Sequence, residues 1–195
     1  MRLAVVTAGL RRSSSTRLLS DRLAAAVTAT LGTADVKVIE VRDHAHDLVN
    51  HLVSGYPSES LEAALTSVTE AAGLIAVTPT ISGSYSGLFK SFFDVLDEGA
   101  LAGKPVLIGA SGGTARHSLV LEHALRPLFV YLRADVVATS VYAAPEDWGG
   151  AAAPDLLGDR IARAAGELAV RMMQRGEPPT VDPYAPVPFE TLLGE

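Results

Sequence analysis

Two hydrophobic periods alternate along the chain. Residues 2–8 (RLAVVTA), 73–79 (GLIAVTP) and 104–110 (KPVLIGA) are near-continuous apolar runs, the pattern of strands buried on both faces. Residues 35–41 (DVKVIEV) alternate apolar and polar positions like a half-buried strand, and 134–143 (ADVVATSVYA) supply a fifth. Between them, 17–31, 60–72, 86–97, 116–132 and 155–174 repeat apolar residues at helical spacing. Leu88, Phe89, Phe92, Phe93 and Leu96 share one broad face of the 86–97 helix. Leu121, Leu125, Leu128 and Leu132 form a stripe along 116–132. Residues 43–58 are polar, hold His44, His46 and His51, and predict a loop with room for a short helix.

Five strand–helix alternations predict a parallel sheet covered on both faces, with right-handed crossovers. The expectation is one three-layer α/β domain over residues 1–175, built on a five-stranded parallel sheet. The flavodoxin-like strand order 2-1-3-4-5 is one of the two common arrangements. A tail from 176 to 195 carries five prolines and is expected to run irregularly over the surface or onto a partner.

Composition narrows this picture. A chain of 195 residues, 48% of them hydrophobic, is long enough for one good core and short for two. No apolar run approaches the roughly 20 residues of a membrane span, and the N-terminus has no signal-peptide pattern. Cysteine is absent, which removes disulfides, thiolate metal sites and cysteine nucleophiles and is compatible with the cytoplasm. A net charge of −6 with scattered basic residues argues against nucleic-acid binding.

Ligands of open α/β sheets bind beyond the carboxyl ends of the strands. Three such ends stand out, at 9–16, 78–87 and 110–117. The first (GLRRSSST) sets Arg11, Arg12, Ser13, Ser14, Ser15 and Thr16 where a strand turns into a helix. Unpaired N–H groups and the helix dipole make that place receptive to a phosphate; simple N-capping by one serine is the competing reading. Neither a G-x-G-x-x-G nor a G-x-x-x-x-G-K-[ST] fingerprint is present. The second (TPTISGSYSGLFK) offers Ser82 and Gly83 for close backbone approach to a flat ligand and Tyr85 for a ring and a hydroxyl, or is an ordinary turn with a serine cap. In the third (GASGGTARHS), Gly112 and Gly113 are expected to allow positive φ and expose main-chain donors. Arg116 at a helix start works against the dipole, which an anionic ligand would explain; a surface arginine would also do.

The same stretch matches G-x-S-x-G at Gly109, Ser111 and Gly113, the nucleophile-elbow spacing. The histidines that follow, His117 and His123, and the acid between them, Glu122, all fall in the next helix. That leaves no partner to orient a catalytic histidine. Asp43, His44, His46 and Asp47 could suggest a metal, but no fourth ligand is evident and a solvated polar loop is the simpler reading.

Taken together, the three loops resemble those of the NADPH-dependent FMN reductase family, a branch of the flavodoxin-like superfamily. The segments that carry the resemblance are Leu10–Thr16, Thr78-Pro79, Tyr85-Ser86-Gly87-Leu88-Phe89-Lys90, Ser111-Gly112-Gly113 and Ala124-Leu125-Arg126-Pro127. The match is sharpest toward the alkanesulfonate-type reductases, which supply reduced FMN to a partner monooxygenase. The resemblance implies FMN and NAD(P)H as the bound nucleotides. It implies that Arg11 and Ser13 to Thr16 hold the FMN phosphate. Pro79, Thr80, Ile81, Ser82, Gly83, Ser84 and Tyr85 would lie along the isoalloxazine edge, with Ser111, Gly112, Gly113 and Thr114 opposite and Arg116 toward the nicotinamide nucleotide. Ile81 departs from the family, many of whose members have an aromatic residue there. Pro127 inside a helix predicts a broken hydrogen bond and a wide, π-type turn. By resemblance, His123 at that turn would sit near the flavin and an oligomer interface of a homodimer or homotetramer. A flavin-carrying electron-transfer protein and a quinone or azo reductase with tightly bound FMN are the alternatives.

Overall fold

The computed structural model describes residues 1–11, 14–148 and 155–175; the segment expected as a proline-rich tail lies outside them. The elements are β1 (Arg2–Thr7), α1 (Ser15–Leu31), β2 (Asp35–Glu40), α2 (Ala45–Ser54), α3 (Glu59–Glu70), β3 (Gly73–Ile81), β4 (Ser84–Tyr85), α4 (Gly87–Asp94), β5 (Pro105–Ser111), α5 (Arg126–Tyr131), β6 (Asp135–Val136), β7 (Val141–Ala143) and α6 (Leu156–Arg175). Hydrogen-bonded neighbours run β2-β1-β3-β5-β6, with β7 also on β5 and β4 on β3. All pairs are parallel except the β3–β4 hairpin.

Strand periodicity explains why the central runs are apolar throughout. Successive side chains point to opposite faces. Ala4, Val6, Leu74, Ala76, Val106 and Ile108 therefore join the core under α2, α3, α4 and α5. Leu3, Val5, Ile75, Val77 and Leu107 join the one under α1 and α6. Phe89, Phe92 and Phe93 are all fully buried in the first core, where Phe129 meets Phe93 edge-on at 4.9 Å between centroids. The broad aromatic face of α4 is thus core.

Seven strands replace the expected five. Residues 134–143 do not form one strand but two short ones, and a two-residue strand is added after β3. Val136 pairs with Val106 and Val141 with Gly109, so the outer strand has extra residues that the β5 ladder cannot pair. Side chains satisfy that bulge instead. Arg126 donates to the carbonyls of Val137 and Ala138 at 3.1 Å each, Glu167 accepts from the Thr139 N–H at 2.8 Å and from its hydroxyl, and Arg160 donates to the Ser140 carbonyl at 2.8 Å. Hydrophobic period carries no trace of such an arrangement.

The helices differ from expectation in the same local way. Residues 41–54 form a 3₁₀ turn (Val41–His44) and α2, so helix takes up most of the 43–58 stretch, whose pattern leaves room for only a short one, and α4 stops at Asp94. The expected 116–132 helix is a 3₁₀ turn (Ala115–His117), a π segment (Leu121–Leu125) and α5. The π segment is the wide turn that Pro127 calls for: the Arg126 N–H reaches back to the Leu121 carbonyl. Glu122 holds Arg126 at 2.5 and 3.0 Å and accepts from the Ser140 hydroxyl at 2.9 Å, tying the π segment to the bulge just before β7.

Lys104 is 1% exposed. Its ammonium donates to the carbonyls of Thr69 (3.0 Å) and Ala71 (2.5 Å) at the end of α3, where free carbonyls and the helix dipole favour a cation. Lys104→Met should therefore lower unfolding free energy by about 1–3 kcal/mol, read as a lower urea midpoint at unchanged slope.

Bonding to Arg126 above all, helped by Ser140, holds the Glu122 carboxyl below its ordinary value of 4.5 against the opposing effect of partial burial. A depressed carboxylate stabilises the fold above its unfolded value and loses that contribution as pH falls through the lowered one. Glu122→Gln should flatten the acid limb of stability below pH 4.5, measured by thermal melts across pH.

Candidate active site

The register of the parallel strands sets the site. Thr7 is in line with Val77, and Pro79 with Ser111, so the ends of β1, β3 and β5 open onto one rim. There they enclose a hollow of about 410 Å³. From the first loop Gly9, Leu10, Arg11, Ser14, Ser15 and Thr16 line it; from the end of β3, Pro79, Thr80 and Ile81; from the end of β5, Ser111, Gly112 and Gly113. Pro145, after β7, closes the rim.

Helix α1 starts at the floor of this hollow. Ser14 is its N-cap, extended at φ −134°, and accepts the Arg17 N–H at 3.1 Å. One serine thus does cap the helix, leaving Ser15 and Thr16 with first-turn N–H groups that have no intrahelical acceptor. The first turn carries no acidic residue. Arg17 is turned to Asp21 (2.8 Å) and to Glu40, so among the described residues Arg11 is the cation on the lining. Gly9 is required by space: a Cβ there would overlap the Ser14 side chain. Arg12 and Ser13 fall outside the described residues.

The first and third loops are joined by a buried hydrogen bond, 2.8 Å between the hydroxyls of Thr16 and Ser111. This answers the nucleophile-elbow spacing as well. Ser111 is the last residue of β5, 1% exposed, and paired with a threonine rather than a histidine.

Glycine at 112 has a different reason from the one expected. Neither Gly112 nor Gly113 takes a positive φ. At Gly112 the constraint is volume, because a Cβ would overlap the Tyr142 hydroxyl, with the Thr80 Cβ 3.4 Å away. Tyr142 stands beneath the loop and donates to the Thr114 carbonyl at 3.0 Å. Burial, the largest influence, raises its pKa above the ordinary 10.0, so the donor stays protonated at neutral pH.

Several expected contacts lie off the lining. Ser82 (φ 50°) and Gly83 (φ 83°) are the two central residues of the β3–β4 hairpin turn, the positive-φ pattern of a type I′ turn. Tyr85 packs on Phe89 at 6.0 Å between centroids, and Ser84 pairs with Ile81. Thr114 caps the 3₁₀ turn that carries Arg116, which is exposed beside the rim. His123 is exposed on the π segment. Gly9 and Leu10 belong to the 9–16 loop singled out in the sequence but had no contact assigned to them, whereas Tyr142 and Pro145, absent from the sequence-based site, reach the rim only through the bulged outer strand. Residues 43–47, considered for a metal, belong to a 3₁₀ turn and α2; among the described residues no group of three or more His, Asp or Glu is placed to hold one.

The lining fits the phosphate end of a flavin nucleotide: helix-start amides, hydroxyls and a guanidinium, with no carboxylate among the described lining residues. Beside them, the adjoining ends of β3 (Pro79 to Ile81) and β5 (Gly112-Gly113) complete the lining with uncharged residues. Fold and rim together define an α/β protein of flavodoxin-like architecture.

A family model described as NADPH-dependent FMN reductase matches residues 1–149, and the chain belongs to that family of oxidoreductases. It is 39% identical over 147 residues to FMN reductase (NADPH) of Pseudomonas aeruginosa, covering 75% of this chain and 78% of that one. To the NADH-dependent FMN reductase SfnF of Pseudomonas putida it is 34% identical over 146 residues, again 75% and 78%. The X-ray structure of an oxidoreductase from Corynebacterium diphtheriae superposes with a TM-score of 0.85 at 45% identity, covering 89% of this chain and 97% of that one.

Gly112→Ala should cost about 1–3 kcal/mol of stability through overpacking, and well under half as much in a Tyr142→Phe background. Urea denaturation of the four proteins of the cycle measures this.

Proposed function

We propose that this chain is an NAD(P)H-dependent FMN reductase that delivers reduced FMN to a partner monooxygenase. The observation that carries the reading is the hollow at the start of α1, lined by Arg11, Ser15 and Thr16, flanked by the ends of β3 and β5 and holding no carboxylate among its described lining residues. The FMN phosphate would rest on the amides and hydroxyls of the first helical turn, with Arg11 balancing its charge. Ser13 would complete this loop. The isoalloxazine would lie between Pro79–Ile81 and Gly112–Gly113, Ile81 presenting an aliphatic surface where many relatives have a ring.

Hydride transfer between nicotinamide C4 and flavin N5 is chemistry that the nucleotides themselves supply. The chain's work is to hold the two in register. It needs no side-chain nucleophile, and the burial of Ser111 is in keeping with that. Arg116, exposed beside the rim, is suited to the phosphates of the nicotinamide nucleotide. The proposal includes a cytoplasmic homodimer or homotetramer. Support for assembly comes from large apolar side chains left exposed before the π segment, Leu119, and at the end of α5, Val130 and Tyr131.

The test is oxidation of NADH and NADPH with and without added FMN. FMN-dependent oxidation, with reduced FMN leaving the protein, is expected; none would overturn the proposal. Flavin retained through many turnovers with a quinone would favour a quinone reductase. Arg11→Ala should raise the KM for FMN about tenfold and change kcat little.

A further inference from the structure

Thr16 and Ser111 face the same accounting problem. Each hydroxyl brings one proton and two lone pairs. Both side chains are almost wholly buried, at 2% and 1% exposure. Their oxygens are 2.8 Å apart, and either can donate. One proton lies between them, which leaves the other hydroxyl proton in search of an acceptor. Among the described residues neither side chain has a second hydrogen-bond partner. Both residues line the hollow, but only Thr16 belongs to the first turn of α1, where an anion is favoured.

An anion at that turn settles the direction. Thr16 then gives its proton to the anion and must accept from Ser111, so the two hydroxyls form a polarised chain running outward from the end of β5. We propose that Ser111 is a positioning residue for the phosphate of FMN: it never touches the phosphate, but its hydroxyl orients and strengthens Thr16 as the phosphate donor. The inference rests on the reading of the hollow as a phosphate site. It moves Ser111 from the flavin-ring wall, where sequence resemblance put it, to the phosphate side.

The discriminating probe is riboflavin, which has the ring and lacks the phosphate. Dissociation constants for FMN and riboflavin, from flavin fluorescence, are compared for the wild type, Ser111→Ala, Thr16→Val and the double variant. Ser111→Ala should weaken FMN binding about three- to tenfold and leave riboflavin binding within twofold. In the Thr16→Val background, where the relay is already cut, it should add nothing. Ser111→Cys, nearly isosteric with a much weaker donor, should show the same selective loss and covers the case of an unstable alanine variant.

Equal loss for both ligands would mean that Ser111 merely shapes the third loop. That result, or an unchanged FMN affinity, overturns the proposal while a wild-type preference for FMN over riboflavin keeps the phosphate site standing. A wild type that binds riboflavin as tightly as FMN would overturn the phosphate reading and this proposal with it.

Discussion

Strands β1, β3 and β5 run parallel, so their carboxyl ends finish at one edge of the sheet. That polarity constrains everything else at the rim. A helix start sits at the end of β1 because a parallel connection must cross over the sheet. The turn after β3 and the glycine loop after β5 stand next to it for the same reason. The hollow is where three chain ends meet, and its donors are mostly ones that the backbone exposes there anyway. Side chains then tune it. Ser14 caps the helix, Thr16 and Ser111 lock two loops together, and Tyr142 props the third from below.

These tethers explain how short, glycine-containing loops keep a defined shape. The third loop is held by main-chain pairing of Gly112 to Ala143 at 3.2 Å, by the Thr16 hydroxyl and by Tyr142. Its glycine is there for volume, not for an unusual backbone angle. The second is shaped by a two-residue hairpin turn with both central residues at positive φ, which leaves Ile81 at the lip of the hollow. The outer strand contributes as well. Because residues 137–140 bulge and are satisfied by Arg126, Glu167 and Arg160, β7 resumes at a register that puts Tyr142 under the loop and Pro145 on the rim.

What the sequence made legible follows the range of each signal. Apolar runs such as 73–79 and 104–110 announce buried strands because both faces must be filled, and the rim loops stand out because serine, glycine and arginine follow those runs directly. Pro127 marked the wide turn because a missing N–H is a local fact. The bulge after Val136 was invisible because it depends on Arg126, Glu167 and Arg160 from other elements. The pairing of Thr16 with Ser111 spans ninety-five positions and has no periodic trace, so nothing in the sequence announces that the first and third loops are tied together. Residues 43–58 look like a loop with room for only a short helix because polar positions dominate; α2 buries Leu48 but leaves Val49, Leu52 and Val53 exposed.

Where a flavin nucleotide lies is measured most directly by a crystal structure of the protein grown with FMN. Its phosphate should be within hydrogen-bonding distance of the Ser15 and Thr16 amides, with the ring between Pro79–Ile81 and Gly112–Gly113. FMN bound elsewhere, or its phosphate turned away from the start of α1, would contradict this reading of the site.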